Sequence, residues 1–148
     1  MERILVLVDG SKWSQKAALY ALQIAKRSRA EVVLFSVLDR REAKALAFTL
    51  GMRSDRIRYL EKFEETVWRD MKNNIEKVLQ AILKECVDIR CHLKIVGGST
   101  GEKILEEANS ENYSLVIMGA YGRSGKKRIG SLLEEIVGRI EPPVMIVR

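Results

Sequence analysis

Short apolar runs alternate with longer amphipathic stretches along this chain, and that alternation constrains the fold more than any single residue does. The first run is Ile4-Leu5-Val6-Leu7-Val8. Continuous and rich in β-branched residues, it suits a strand buried on both faces of a parallel sheet. Asp9-Gly10-Ser11 breaks the run, and a serine there can accept an orphan amide at a helix start. Ala18, Ala21, Leu22 and Ala25 follow at helical spacing, which predicts a helix over 12–28. Val32 to Leu38 reads as a second buried strand. Residues 39–58 form an excursion in which Ala43 to Leu50 can make a short helix. Phe63, Val67, Met71, Ile75, Val78, Leu79, Ile82 and Cys86 then make one stripe on a long helix.

From 88 to 96 the period changes to two. Ile89, Cys91, Leu93 and Ile95 alternate with Arg90, His92 and Lys94, the pattern of a half-exposed strand at a sheet edge. Gly97-Gly98 ends it, and Ser99 with Glu102 fits a capping box opening the next helix. Leu115 to Met118 is the fourth strand. Ser131 with Glu134 is a second capping box, for a helix running to about Ile140. Pro142-Pro143 stops that helix, and Val144-Met145-Ile146-Val147 is the last strand. The order β-α-β-α-β-α-β-α-β requires a parallel sheet with helices on both faces, because parallel strands need helical crossovers. At 148 residues the chain is expected to be a single α/β domain over 1–148.

Composition narrows the function classes. No uninterrupted apolar run approaches the roughly 18 residues of a membrane span (Ile4 to Val8 is five residues long), so no membrane span is expected. Two cysteines are too few for a disulfide scaffold. They predict a reduced, cytoplasmic setting with Cys86 and Cys91 as packing residues. The net charge of +6 permits anionic ligands. A nucleic-acid footprint needs a wider basic surface than Lys126-Lys127-Arg128 supplies, so nucleic acid is not the expected partner. The single histidine, His92, has no ligand partners at suitable spacing, and no metal site of the protein's own is expected. No serine-histidine-acid set or paired carboxylates appear, so no catalytic residue is assigned.

In an open parallel sheet ligands bind outside the carboxyl ends of the strands, where the strand order reverses. Asp9, the segment after Val37 and the loop 119–131 all fall at that end. The loop reads Gly119-Ala120-Tyr121-Gly122-Arg123-Ser124-Gly125-Lys126-Lys127-Arg128-Ile129-Gly130-Ser131. Glycines let backbone amides converge on an anion, and Gly130-Ser131 lies where a helix start favours phosphate. Neither the Walker A pattern nor the dinucleotide fingerprint is present.

With these segments in view, the chain resembles the universal stress protein (UspA) family over nearly its whole length. The resemblance rests on Ile4 to Ser11, on Val37-Leu38-Asp39, on Val116 to Gly125, on Gly130-Ser131 and on Pro142 to Val147. It implies an open five-stranded parallel sheet in the order 3-2-1-4-5, Rossmann-like and similar to the adenine nucleotide alpha-hydrolase folds. It also implies a cytoplasmic, stress-responsive regulatory protein that binds ATP, with Mg2+ accompanying the nucleotide. By that analogy Asp9 sits beside the adenosine and the Val37 backbone faces adenine. Gly119, Gly122, Gly130 and Ser131 hold phosphates, with Arg123 and Gly125 in the same loop. The chain departs from the motif G-x2-G-x9-G-[ST] by placing seven residues between Gly122 and Gly130. It also has Val8 where ATP-binding members often carry proline.

Two further classes compete: a non-nucleotide interaction module with this fold and an unknown protein partner, and a slow ATPase. In the implied strand order the apolar last strand is an edge, and covering it with a second copy would remove an aggregation risk. A homodimer through 143–148 is therefore expected, as is common in the family.

Overall fold

The computed structural model describes residues 2–54, 60–110, 112–122 and 132–148. Among these residues are five strands and five helices, alternating except that two helices follow the second strand. They are β1 (Arg3–Leu7), α1 (Lys12–Ser28), β2 (Glu31–Leu38), α2 (Arg40–Ser54), α3 (Leu60–Lys84), β3 (Cys91–Gly97), α4 (Thr100–Ser110), β4 (Leu115–Gly119), α5 (Leu132–Val137) and β5 (Val144–Val147). The strands form one sheet in the order β3-β2-β1-β4-β5, and every pairing is parallel. The expected α/β architecture and strand order are thus both observed.

The apolar runs divide by parity. Ile4, Val6 and Val8 of the first run join Ala17, Ala18, Ala21 and Leu22 of α1 and Ile75, Leu79 and Ile82 of α3 in one core. Leu5 and Leu7 point the other way, into a second core with Ile104 and Ala108 of α4 and Ile136 of α5. This is why the run needs no polar alternation: both faces of a central strand are dry. The small residues of α1 let it lie close on β1 and β4. The Ser11 hydroxyl accepts the Ser14 amide at 3.1 Å, as an N-cap should.

Four local expectations change. The excursion after β2 is a full 15-residue helix, α2, which buries Ala43 and Ala47 against Val67 and Met71 of α3. Its apolar stripe is only two alanines wide, too faint to read as a helix of that length. In β3, Ile95 is exposed although its parity predicts burial. The helix before β5 ends at Val137, and Gly138-Arg139 turn before Ile140. Cys86 and Cys91 are joined as a disulfide, and neither is free. They still pack against the α1–α3 core, so the bond accompanies the expected packing role. Packing and pairing draw on the same partly buried positions, and spacing alone did not separate them.

Among the described residues no helix is long and apolar enough to cross a membrane.

Candidate functional site

The strand order reverses between β1 and β4: β2 and β3 lie on one side of β1, and β4 and β5 on the other. A crevice at the carboxyl ends of β1 and β4 follows from that topology. Val6 pairs with Ile117, so two places further along lie Val8 and Gly119, side by side at the crevice.

The turn after β1 is built by its own side chains. Asp9 accepts the Ser11 amide through Oδ1 at 2.9 Å, and its own amide donates to Ser14 Oγ at 3.2 Å. Ser14 Oγ in turn donates to the Ser11 carbonyl at 3.0 Å. Gly10 takes a φ of 86°, the left-handed region in which a side chain is costly. The result holds the half-buried Asp9 carboxylate at the mouth of the crevice. Val8 is buried, and its carbonyl accepts the Ser36 hydroxyl at 2.6 Å, which ties the ends of β1 and β2 together. Ser36 is the one hydroxyl in an otherwise apolar strand, and that was the sequence signal for this contact.

Gly119 closes the other side. A Cβ on it would stand 2.9 Å from the Trp13 backbone carbon and 3.0 Å from the Ser14 amide nitrogen. Its absence lets the first turn of α1 press against the end of β4. The Trp13 ring packs on Tyr121 just beyond, with centroids 4.8 Å apart, and Gly122 follows half-buried. Val37 is half-buried too, whereas the five residues before it in β2, Val32 to Ser36, are buried. Val8, Asp9, Val37, Gly119 and Gly122 thus all lie at the carboxyl end of the sheet. Arg123, Gly125, Gly130 and Ser131, and with Ser131 the capping box to Glu134, lie outside the described residues.

A second carboxylate, not assigned a role from sequence, organises the neighbouring strand end. Asp39 directly follows β2 and is buried. Arg41 grips both its oxygens, Nε at 3.1 Å and Nη2 at 2.9 Å, and adds its backbone amide at 2.9 Å. The Arg41 guanidinium holds the Asp39 carboxyl below its ordinary range, helped by amide donors from Arg41 and Thr100. The Thr100 amide belongs to the first turn of α4, which places Asp39 near the start of that helix. The expected Ser99–Glu102 box is displaced to this extent: the Ser99 hydroxyl accepts Arg41 Nη2 at 2.8 Å. A cleft of about 660 Å³ opens beside this junction, lined by Ser99, Gly101, Leu105 and Ile136 among others.

A third polar cluster crosses from β3 to α4. Buried Glu107 accepts Lys94 Nζ at 2.6 Å and the Tyr113 hydroxyl at 2.8 Å. Burial pushes the Tyr113 hydroxyl well above its ordinary range. The cluster fixes α4 to the edge strand. Among the described residues no group of three or more histidine, cysteine or acidic side chains is placed to hold a metal.

The sequence matches the profile of the universal stress protein family over residues 1–148. It is 27% identical to universal stress protein MJ0577 of Methanocaldococcus jannaschii, covering 99% of this chain and 94% of that one. The solved structure of MJ0577 superposes with a TM-score of 0.73 at 26% identity, over 99% of this chain and 94% of the other. A universal stress protein of Archaeoglobus fulgidus in complex with dAMP shares the fold at a TM-score of 0.60 and 17% identity, covering 100% and 98% of the two chains. Another, in complex with cAMP, does so at 0.59 and 19%, covering 99% and 96%. Sheet order, strand-end chemistry and whole-length match agree, and the chain belongs to the universal stress protein family.

Proposed function

We propose that this chain is an adenine-nucleotide-binding regulatory protein of the stress response, with ATP as its ligand and the cytoplasm as its setting. The observation that carries the reading is the half-buried Asp9 carboxylate, held in a self-bonded turn beside Gly119 where the strand order reverses. Asp9 would meet the ribose, and the half-buried Val37 would face the base. Gly119 and Gly122 would lead into the phosphate loop, with Arg123, Gly125, Gly130 and Ser131 completing it. Mg2+ would arrive with the phosphates rather than in a preformed protein site. Relatives of the same fold that carry dAMP and cAMP support the class of ligand. ATP hydrolysis would be slow, since the sequence offers no serine-histidine-acid set or paired carboxylates to activate water.

The free edge of β5 supports a homodimer through 143–148. Among the described residues its backbone pairs only with β4, and Ile146 is exposed. Sedimentation at micromolar concentration is expected to show the dimer, and a monomer there would remove this part of the reading.

Calorimetric titration of nucleotide-stripped protein with ATP and magnesium tests the ligand. Saturable binding near one ATP per chain is expected. A second reading, an interaction module of the same fold that binds no nucleotide, is favoured by the seven residues between Gly122 and Gly130 where the motif has nine. Absence of heat at several temperatures, with ATP well above roughly millimolar Kd (about −4 kcal/mol), would replace the first reading with the second.

A further inference from the structure

We propose that Cys86 and Cys91 form a thiol–disulfide exchange site whose co-reactant is a small-molecule thiol of the glutathione class, and whose closed form clasps the edge strand β3. The two are the only cysteines in the chain, and the structure joins them. Cys86 follows the end of α3, and Cys91 is the first residue of β3. Both are partly buried against the α1–α3 core, not sealed within it. The turn between them is at the surface: Val87 is 65% exposed, and Asp88 adopts a left-handed φ of 60°.

Three features favour exchange over a permanent crosslink. The bond lies on the outer side of the sheet, since β2 pairs with β3 and, among the described residues, no strand lies beyond it. It closes a short loop, with a sequence separation of five. A short loop gains little protection from the entropy of the unfolded chain. The two sulfurs are also chemically unlike. Cys86 sits at the carboxyl end of α3, where the helix dipole disfavours an anion, and Glu85 and Asp88 are near it in sequence. Cys91 starts β3, away from that helix end. Cys86 is therefore the poorer leaving thiolate, and Cys91 is the one that departs.

The reduction proceeds in two displacements. An incoming thiolate attacks Cys86 Sγ, the Cys86–Cys91 bond breaks, and Cys91 departs as thiolate and takes a proton. A second thiolate attacks the co-reactant's sulfur in the mixed disulfide. Cys86 is released and protonated, and the small-molecule disulfide leaves. Two thiols are oxidised and one protein disulfide is reduced; oxidation is the reverse. Opening frees the start of β3, which is otherwise held by its ladder to β2 and by Lys94 on Glu107.

The test uses the full-length protein in buffers ranging from reduced to oxidised glutathione. Thiols are trapped by alkylation and counted by mass, while tryptophan fluorescence reports that the fold persists. Reversible passage between dithiol and disulfide in the folded protein is expected. A bond that survives reduced glutathione in the native state, but yields to it in urea, would make this a structural crosslink and overturn the proposal. A dithiol that stays reduced in oxidised glutathione, or stops at the mixed adduct, would overturn it equally. Amide hydrogen exchange supplies the second readout. The amides of Cys91, His92 and Leu93 are expected to exchange about tenfold faster in the reduced form. Equal rates would show that the bond does not clasp the strand. C91S is expected to hold a single glutathione on Cys86. An unmodified Cys86 in the folded variant would contradict the order of attack.

Discussion

Two aspartates occupy equivalent places, one directly after β2 and the other two residues beyond the end of β1, and their surroundings give them different work. Asp39 is buried and gripped through both oxygens by one guanidinium, near the start of α4. Asp9 is half-buried and bonds one oxygen to the backbone of its own turn. The first is a strut that fixes β2, α2 and α4 to one another. The second is held in place by serines and a glycine, so that the turn carries it to the mouth of the crevice. A carboxylate at a strand end is thus ambiguous until its partners are known. A cation with backbone donors reads as architecture, and a self-bonded turn at the strand-order reversal reads as a ligand position.

The largest effect should come from the contact that seats the Asp9 turn. Gly119→Ala puts a Cβ against the backbone of Trp13 and Ser14, which cannot swing aside as a side-chain tip can. Overpacking of this kind costs about 2 kcal/mol. Urea denaturation should show that loss, and ATP binding should weaken with it, because α1 must lift from β4. A variant as stable as the parent would mean that α1 has slack at this point and that the turn is not rigidly seated.

Next comes Asp9→Ala. If the carboxylate meets the ribose, ATP affinity should fall about tenfold, roughly 1.4 kcal/mol. Stability should fall by less than that, since the Ser11 hydroxyl still caps α1. Calorimetry and denaturation on the same preparation separate the two. Unchanged affinity beside a large loss of stability would make Asp9 a second strut and erase the contrast with Asp39.

Much of this contrast was legible in the residues, and the rest was not, for identifiable reasons. The five strands, the two-sided burial of β1 and β2 and the edge position of β3 followed from periodicity, because burial on each face sets the pattern directly. Ser11 as a cap followed from its place after a strand and before an alanine-rich helix. Asp39 did not. Arg41, which grips it, also reaches Ser99 some sixty residues away, and the β2–β3 pairing brings that residue near. The local rule pointed to Ser99 and Glu102 as a capping box, whereas the Ser99 hydroxyl accepts from Arg41. α2 was under-read because its buried stripe is two alanines, and the cysteine pair because packing and bonding suit the same partly buried positions. Gly119 was assigned a place in the phosphate loop. Its close packing on Trp13 was invisible until α1 and β4 were known to touch.

Asp39→Ala should have a smaller effect and a different signature. Losing the hydrogen bonds from Arg41 costs about 1 kcal/mol of stability. ATP affinity in the folded fraction should stay within about twofold of the parent, well short of the tenfold change that marks a direct contact. Asp39→Asn is the conservative control, since it keeps an acceptor for the Thr100 amide while losing the charge that Arg41 grips. A loss of ATP binding as large as that of Asp9→Ala would show that the β2 end contributes to the ligand site directly.

The smallest effect is in the acid limb of stability, and its sign is fixed by the same ion pair. Arg41 and the two amide donors lower the Asp39 carboxyl from its ordinary 3.8. A carboxylate lowered in the folded state binds protons more readily in the unfolded chain. Its contribution is therefore complete above the ordinary carboxylate range and fades as pH falls below about 4 toward the folded value. The Arg41 side chain is 73% exposed, so solvent and salt screen the pair and the contribution should be modest. Comparing parent and Asp39→Asn by thermal melting from pH 7 down to pH 3 isolates it. Their difference in Tm should be constant from pH 7 to about 5 and shrink below about 4, where the parent begins to lose its charge. The same comparison in high salt should start smaller. A difference that grows as the pH falls would reverse the sign and mean that protonated Asp39 is the better strut, with Arg41 held by Ser99 instead.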